Sequence, residues 1–293
     1  SLATALLVKS ASLAKLSSQE LVWTPLFIEI LREVDPEIGS WVEWVHWDRR
    51  ETERTRALVE SADAVVVYGS DEAVASIRGM VRGETPLFAY GNRFALGLIL
   101  QEADYGEAAQ RLAQDCVRLY QTGCLSPQWV LVEGDRKAAL RFAEELASAV
   151  EEQMRPFPIR LDFGTAVVVR REREAALFEE ETHLWGASDL AWTIILRANP
   201  RLETLGTFNT TQVTPFRLSG DGDQGKGLLS LSIPWSRVQA VAFAGDLNRI
   251  LSLLEPLCLP RLCQVGELQT PPFDWYENGR RLLHDLARWS RIE

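Results

Sequence analysis

Apolar positions in residues 1–90 alternate between strand-like runs and helix-length amphipathic segments. Residues 62–68, Ala-Asp-Ala-Val-Val-Val-Tyr, form the most continuous apolar run, which is typical of a strand buried in a parallel sheet. A helix is predicted after this run, from Asp71 to about Val81, with Gly69 and Ser70 in the turn. The other elements predicted in this part are strands at 12–16, 41–47 and 86–90 and helices at 24–34 and 51–61.

The alternation continues in longer units as far as Arg197. The elements predicted there are helices at 105–120 and 135–153, the second with Asp135 as N-cap, and strands at 129–132 and 165–169. Residues 201–227 are rich in turn formers and predict an exposed connection, whereas 247–257 and 277–291 have helical patterns. Because strands and helices alternate, the predicted fold class is α/β with a parallel sheet.

Length and charge exclude several classes of protein. A chain of 293 residues is long enough for two domains. The 31 Lys+Arg against 41 Asp+Glu give a formal charge of -10 without a basic cluster, so nucleic-acid binding is not expected. Since no apolar run approaches the roughly 20 residues of a membrane span, none is expected.

The cysteines and histidines predict neither a disulfide framework nor a metal site. The four cysteines contain no CxxC pair, which favours a reducing compartment such as the cytoplasm. The three histidines lie far apart in the sequence and lack metal-ligand spacing.

One glycine-rich stretch has the letters of a nucleotide-binding loop but the wrong context. Gly220–Gly225 fits GxGxxG, and the stretch to Lys226 fits the start of a P-loop. A phosphate loop needs a helix after it, whereas Leu228–Ile233 is strand-like, and Gly227 replaces the Mg²⁺-binding Ser or Thr. We therefore interpret this stretch as a surface connection.

Two turns retain candidate chemistry. Gly69-Ser70 follows a predicted strand and precedes a helix, where backbone N–H groups favour a phosphate, although any βα unit can have such a turn. Cys124 lies in Gln-Thr-Gly-Cys-Leu-Ser-Pro, a turn in which a thiol is reachable and nearby N–H groups stabilise a thiolate. The alternative for any cysteine is inert packing, which we predict for Cys116, Cys258 and Cys263.

Five stretches resemble, in order, the acyl-CoA reductases of the aldehyde dehydrogenase superfamily, most closely the fatty-acyl reductase of bacterial bioluminescence operons. They are residues 3–18, 65–72, 90–91, 121–128 and 260–275, the last followed by Asn278-Gly279 and 285–289. The most specific are Gly-Cys-Leu-Ser-Pro at 123–127 and Arg…Gly…Gln…Pro-Pro…Trp in 260–275. The resemblance covers nearly the whole chain.

This resemblance implies an aldehyde-dehydrogenase-like fold. Residues 1–90 would form part of a Rossmann-type domain for a nicotinamide cofactor, and 91–245 a catalytic domain that carries Cys124. The segment 246–293 would return to the cofactor domain or form an oligomer interface, and a homo-oligomer is expected.

The resemblance also implies the cofactor. In the superfamily, a Lys-Pro-Ser-Glu stretch binds the adenosine ribose, and Lys15-Leu-Ser17-Ser18 matches it. The family's glutamate favours a free 2′-hydroxyl, whereas Ser18 is uncharged and leaves Lys15 able to meet a 2′-phosphate. NADPH is therefore expected rather than NADH, with its pyrophosphate at Gly69-Ser70.

The implied reaction is reduction of a long-chain acyl-CoA. Hydrolytic relatives activate water with a glutamate, but alignment on Gly91 places Ala89 or Phe88 at that position. A Cys124 thiolate would instead expel CoA from the thioester, and hydride from NADPH would convert the acyl-enzyme to an aldehyde.

Three departures from the family pattern leave a second hypothesis open. The family's N-terminal segment, with the asparagine of its oxyanion hole, has no counterpart in this sequence. Asn92 replaces a usual His, and Tyr120 replaces a usual Asp. The alternative is a weak or inactive relative that binds nucleotide or an acyl-transfer protein partner, and a short-chain acylating aldehyde dehydrogenase is a third possibility.

Overall fold

The computed structural model describes residues 2–18, 20–199, 201, 206–217, 228, 231–272 and 274–287. The Gly220–Lys226 stretch lies outside the described residues, as do 202–205 and 218–227 of the predicted 201–227 connection. The prediction of an exposed connection is wrong for Thr210–Phe216, which form a buried strand, because the β-branched threonines of this run favour a strand as well as a turn. The chain divides into two compact units. One consists of Ser1–Asn92 with Tyr276–Glu293, and the other of Arg93–Trp275. Residues 246–275, which the sequence analysis grouped with the C-terminal segment, thus belong to the unit of Cys124.

The first unit contains two parallel strand pairs with helices between successive strands. Strand β1 (Ser12–Leu16) pairs with β2 (Val42–His46), and β3 (Val65–Tyr68) pairs with β4 (Leu87–Tyr90). Its helices are α1 (Leu2–Leu7), α2 (Trp23–Val34), α3 (Pro36–Gly39), α4 (Thr52–Ser61), α5 (Asp71–Arg78) and, after the second unit, α10 (Leu282–Leu286). The strands predicted in residues 1–90 are thus confirmed.

The second unit is built on a sheet of seven strands in the order β11-β10-β5-β6-β9-β8-β7. All neighbours are parallel except β7 and β8. The strands are β5 (Phe94–Ile99), β6 (Pro127–Glu133), β7 (His183–Gly186), β8 (Thr193–Leu196), β9 (Thr210–Phe216), β10 (Val238–Ala244) and β11 (Leu262–Gln264).

Each long helix of the second unit begins at an aspartate. The helices are α6 (Tyr105–Val117), α7 (Arg136–Met154), α8 (Phe163–Leu177) and α9 (Leu247–Leu254). Their N-caps Asp104, Asp135, Asp162 and Asp246 each accept a backbone N–H three residues later at 3.0 Å. Such caps satisfy N–H groups that lack a partner within the helix, and the predicted role of Asp135 is confirmed.

Apolar layers cover both faces of the seven-stranded sheet. Leu112 of α6 and Phe142 of α7 are buried in the layer on one face. Trp129 of β6 and Ile250 of α9 are buried in the layer on the other. Strands β5 and β10 are buried on both faces of the sheet. This explains why their residues are apolar, apart from one glycine in β5 and one glutamine in β10.

Two predicted strands are wrong. Residues 165–169 lie inside α8 and not in a strand. The buried positions Val169, Glu172 and Ala176 follow helical spacing, and Asp162 caps the helix. These two features outweigh the strand propensity of the three valines. The described residues of the strand-like run 228–233, namely Leu228 and 231–233, are not part of a strand. None of the helices in the described part of the chain is long and apolar enough to cross a membrane.

Candidate active site

The backbone that leads into the Cys124 turn has an uncommon conformation. After α6 ends at Val117, a 3₁₀ turn follows in which Leu119, Tyr120 and Gln121 have φ of 54°, 50° and 57°. Residues with a Cβ rarely adopt this left-handed region, where each costs about 1–2 kcal/mol. Strain of this kind is kept where the surrounding structure determines the backbone, most often at functional sites.

The buried Gln121 side chain holds this strained segment in place. Its Nε2 donates to the Pro127 carbonyl at 2.8 Å and to Thr211 Oγ1 at 2.7 Å. One amide therefore joins the start of the turn to its end and to strand β9. The two ends of the Cys124 turn are fixed against the sheet.

Cys124 itself is exposed at the tip of the turn. The Ser126 N–H donates to the Gly123 carbonyl at 2.9 Å, and the buried Gln239 of β10 donates its side-chain amide to the Cys124 carbonyl. The Cys124 N–H has no acceptor among the described residues. The turn thus presents a reachable thiol on a residue whose own N–H is available to a ligand.

The other three cysteines lie in different surroundings. Burial raises the pKa of the Cys116 thiol to about 12 and that of Cys263 to about 11, so both are inert at neutral pH. The prediction of packing fails for Cys258, which is exposed because it follows a short 3₁₀ turn with φ of 47°. Exposure alone therefore does not distinguish Cys124, whereas the braced turn around it does.

The segment that follows β11 lies directly beside the Cys124 turn. Gln269 Nε2 donates to Ser126 Oγ at 2.7 Å and to the Asp115 carbonyl at 3.3 Å. A Cβ added to Gly123 would lie 3.3 Å from Gln269 Oε1 and 3.1 Å from Leu119 Cδ1. A glycine before the cysteine therefore lets the turn pack closely against this segment.

Asp115 on α6 is a fully buried carboxyl next to these contacts. Its Oδ2 accepts the Gly266 N–H at 2.7 Å, and its Oδ1 has no partner among the described residues. Burial raises the pKa of Asp115 to about 6, although hydrogen bonds from the backbone of 266–269 oppose the shift. The carboxyl is thus easier to protonate than an exposed aspartate.

The candidate cofactor residues lie in the first unit, after strands β1 and β3. Lys15 Nζ lies 5.6 Å from the centroid of the Trp47 ring, and no ion pair involves Lys15 within the described part of the chain. Ser17 and Ser18 are exposed, and Ser18 Oγ lies 3.4 Å from Nε2 of His46 at the end of β2. Lys15 is therefore a cation available to an anionic ligand.

The nearest following carboxylate is already engaged by a helix. Glu20 accepts the Trp23 and Thr24 N–H groups at 2.9 and 3.1 Å and the Thr24 hydroxyl at 2.6 Å. These bonds, chiefly those from Thr24, lower the pKa of Glu20. Because its oxygens begin helix α2, Glu20 does not replace the ribose-binding glutamate that is missing at Ser18.

The Gly69-Ser70 turn connects β3 to α5 and is exposed. The Gly69 N–H donates to the Tyr90 carbonyl at 3.2 Å, and Ser70 Oγ accepts the Ala73 N–H at 3.2 Å as the N-cap of α5. The turn therefore has the strand–glycine–helix geometry expected of a phosphate contact. Both candidate cofactor stretches follow the carboxyl ends of parallel strands, where open α/β sheets bind ligands.

The positions aligned with the catalytic glutamate of hydrolytic relatives carry no carboxylate. Phe88 is buried in β4, and Ala89 is its neighbour on the same strand. No group of three or more His, Cys, Asp or Glu in the described residues is arranged to hold a metal ion.

The fold defined by these elements is that of the aldehyde dehydrogenases. A lactaldehyde dehydrogenase matches with a TM-score of 0.74 at 16% identity, over 97% of this chain and 64% of its own. A protein from Sinorhizobium meliloti 1021, described as a methylmalonate-semialdehyde dehydrogenase complexed with NAD, matches with a TM-score of 0.71 at 14% identity, over 94% of this chain and 60% of its own. An oxidoreductase from Marinobacter aquaeolei matches with a TM-score of 0.74 at 16% identity, over 93% and 59%.

Within this fold, the sequence defines a narrower group. The chain matches the acyl-CoA reductase (LuxC) family over residues 1–289 and belongs to that family. It spans less than two thirds of the length of the solved proteins above. No curated protein matches the chain significantly.

Proposed function

We propose that this protein takes part in the NADPH-dependent reduction of a long-chain acyl-CoA to an aldehyde, with Cys124 as the nucleophile. The observation that carries the proposal is the Cys124 turn. It combines an exposed thiol, an N–H without an acceptor in the described chain and buried amides that fix the backbone on both sides. Membership of the acyl-CoA reductase family supports the same chemistry.

In the first step, the Cys124 thiolate attacks the carbonyl carbon of the thioester. The carbonyl oxygen becomes an oxyanion, to which the Cys124 N–H donates a hydrogen bond. Collapse of this intermediate breaks the carbon–sulfur bond to CoA, which leaves as a thiolate, and leaves the acyl group on Cys124. The absence of a carboxylate at Phe88 and Ala89 supports a fate other than hydrolysis.

In the second step, the acyl-enzyme is reduced. A nicotinamide cofactor held by Lys15 and the Gly69-Ser70 turn would supply the hydride that the carbonyl carbon of the acyl group accepts. The resulting thiohemiacetal on Cys124 loses the sulfur as its carbonyl reforms, so the aldehyde leaves and the thiolate is regenerated. The net change adds one hydride and one proton and releases free CoA.

The residues of the first unit fit the phosphates of this cofactor. Lys15 has no carboxylate partner in the described chain and would meet the 2′-phosphate beside Ser17 and Ser18. Gly69 has no side chain to block the approach of a pyrophosphate to the start of α5, and Ser70 holds that helix end in place. The oxygens of Glu20, the nearest following carboxylate, accept hydrogen bonds from the start of α2, so Glu20 does not take the place of a ribose-binding glutamate.

A turnover assay with a chain-length series tests this proposal. The protein is supplied with NADPH and with acyl-CoA of about 4 to about 18 carbons, and both cofactor oxidation and aldehyde are measured. We expect equal amounts of oxidised cofactor and aldehyde, the highest rate with long chains, and a weaker rate with NADH. Highest activity with short chains would favour the short-chain alternative, and equal rates with NADH would contradict the cofactor assignment.

The alternative function, a nucleotide-binding or partner-binding relative without turnover, predicts a different result in the same assay. NADPH would bind, as measured by quenching of tryptophan fluorescence, but neither aldehyde nor oxidised cofactor would form. The departures from the family pattern at Asn92 and Tyr120 favour this alternative. Tyr120 lies in the strained segment that leads to Cys124, so a change there can affect the nucleophile.

A further inference from the structure

The C-terminal Arg…Gly…Gln motif has no part in the chemical steps above, yet the fold places it beside the nucleophile. Arg261 closes the motif into a compact loop, because its guanidinium donates to the carbonyls of Glu267 and Leu268, both at 2.6 Å. The Arg261 side chain is nearly buried and also lies 5.6 Å from the Trp275 ring centroid. The loop is therefore shaped by its own residues.

A buried carboxyl attaches this loop to helix α6. The Gly266 N–H donates to Asp115 Oδ2 at 2.7 Å. Gly266 has φ of 89°, and a Cβ there would lie 3.3 Å from Arg111 Cβ, so a glycine suits both the turn and the close approach to α6. The hydrogen bond and the close approach at Gly266 hold the loop against α6.

The attached loop brings the Gln269 amide to the Cys124 turn. Its two contacts reach Ser126, two residues after the cysteine, and the backbone of Asp115. Its oxygen lies against Gly123, the residue before the cysteine. Ser126 is fully buried, so the acceptor end of this contact is shielded from water.

Building on the proposed function, we propose that Gln269 is a positioning residue for the nucleophile: it holds the Cys124 turn at Ser126 and is itself held by the Asp115 carbonyl and the Arg261 loop. Gln269 does not touch the reacting atoms. Its role is to keep the Cys124 thiol and N–H in the geometry that attack on a thioester requires, where small displacements are costly.

A set of matched variants tests this role. Gln269→Ala removes the amide, and Ser126→Ala removes its acceptor at the turn. Gln264→Ala is the control, since it deletes a glutamine from the same segment whose side chain makes no hydrogen bond among the described residues. The double variant Gln269→Ala/Ser126→Ala completes a cycle that measures the coupling of the pair.

The main readout is the rate at which long-chain acyl-CoA acylates Cys124 without NADPH. We expect Gln269→Ala to lower the saturating rate about tenfold, which is the loss of one well-placed hydrogen bond, while the half-saturating concentration stays within about twofold. Gln264→Ala should leave both unchanged, and Ser126→Ala should add little to Gln269→Ala. If Gln269 had a purely structural role, Gln269→Ala would lower the thermal midpoint of unfolding. It would not lower the saturating rate while leaving the half-saturating concentration unchanged.

A second readout does not depend on acyl-CoA. Iodoacetamide labels both exposed thiols, so the ratio of Cys124 to Cys258 labelling reports the Cys124 turn against an internal reference. We expect this ratio to change more than about threefold in Gln269→Ala and to stay constant in Gln264→Ala.

The two readouts separate the two proposals. If the unaltered protein is acylated and Gln269→Ala is acylated at the same rate, the positioning role is wrong. If the unaltered protein is not acylated but the labelling ratio changes in Gln269→Ala, the positioning role stands and the proposed function falls. An unchanged ratio together with absent acylation overturns both.

Discussion

The turn that carries Cys124 and the turns that carry Lys15 and Gly69 differ in how the fold holds them. Glutamines from distant parts of the sequence fix the cysteine turn, namely the buried Gln239 on β10 and the half-buried Gln269 after β11. The candidate cofactor turns are exposed, and the side-chain contacts that hold them lie at the surface, such as those of Ser70 with Ala73 and of Ser18 with His46.

This difference follows from what each region is proposed to do. A covalent step depends on placing a nucleophile within a fraction of an ångström, and hydrogen bonds from distant parts of the chain supply that precision. A phosphate is attracted by a cation and by free N–H groups over a wider range of positions, and local geometry is enough for this. Tests of the comparison therefore separate long-range from local effects.

The largest expected effect on stability comes from Asp115, below the cysteine turn. Its pKa of about 6 in the folded state exceeds the ordinary value of 3.8, so the folded protein binds the proton more tightly than the unfolded chain. Stability should therefore fall as pH rises from about 4 through 6, by roughly 3 kcal/mol at most, and the loss should remain at higher pH.

Asp115→Asn should remove this pH dependence, because the amide keeps an acceptor for Gly266 without a titrating proton. The measurement is the free energy of unfolding by urea between pH 4 and pH 7 for both proteins. Parallel curves would contradict the assignment, whereas curves that diverge in favour of the variant with rising pH would support it.

A smaller effect is expected at the cofactor turn. Lys15→Ala should weaken binding of NADPH about tenfold, the worth of a charge-assisted hydrogen bond, and that of NADH less than about twofold. Lys137→Ala, on helix α7 of the other unit, is the control for loss of charge alone. Quenching of tryptophan fluorescence reports both titrations. An equal loss for the two cofactors would show that Lys15 does not meet the 2′-phosphate.

The smallest expected effect is at the cap of α5. Ser70→Ala removes the acceptor for the Ala73 N–H and should lower the free energy of unfolding by about 1 kcal/mol. Ser76→Ala, at an exposed position within the same helix, should raise it by a few tenths of a kcal/mol. Equal effects of the two changes would show that the cap contributes nothing.

The sequence predicted the first unit better than the second. Strands β1 to β4 are short apolar runs with polar helices between them, so their pattern is readable without knowledge of the fold. Strands β5 and β10 were missed because an alanine-containing run such as Val-Gln-Ala-Val-Ala-Phe-Ala has no period that separates a buried strand from a buried helix.

The candidate site was predictable only in part. The residue types at Lys15, Gly69 and Cys124 carry their chemistry in the local sequence. The residues that support the Cys124 turn cannot be recognised from the local sequence. Asp115 and Gln239 lie in no motif, and the role of Gln269 depends on a contact with Ser126, more than a hundred residues away in the chain. The resemblance had marked the segment that contains Gln269, but its position beside the cysteine is a property of the fold.

Acyl transfer to Cys124 is the most direct test of the central claim. The protein is incubated with radiolabelled long-chain acyl-CoA without NADPH, and the labelled peptide is identified by mass spectrometry. The account predicts one acyl group per chain, on Cys124, which NADPH then discharges as aldehyde. Cys124→Ala should abolish labelling, and Cys258→Ala, which removes the other exposed thiol, should leave it intact. Labelling that persists in Cys124→Ala would contradict the account.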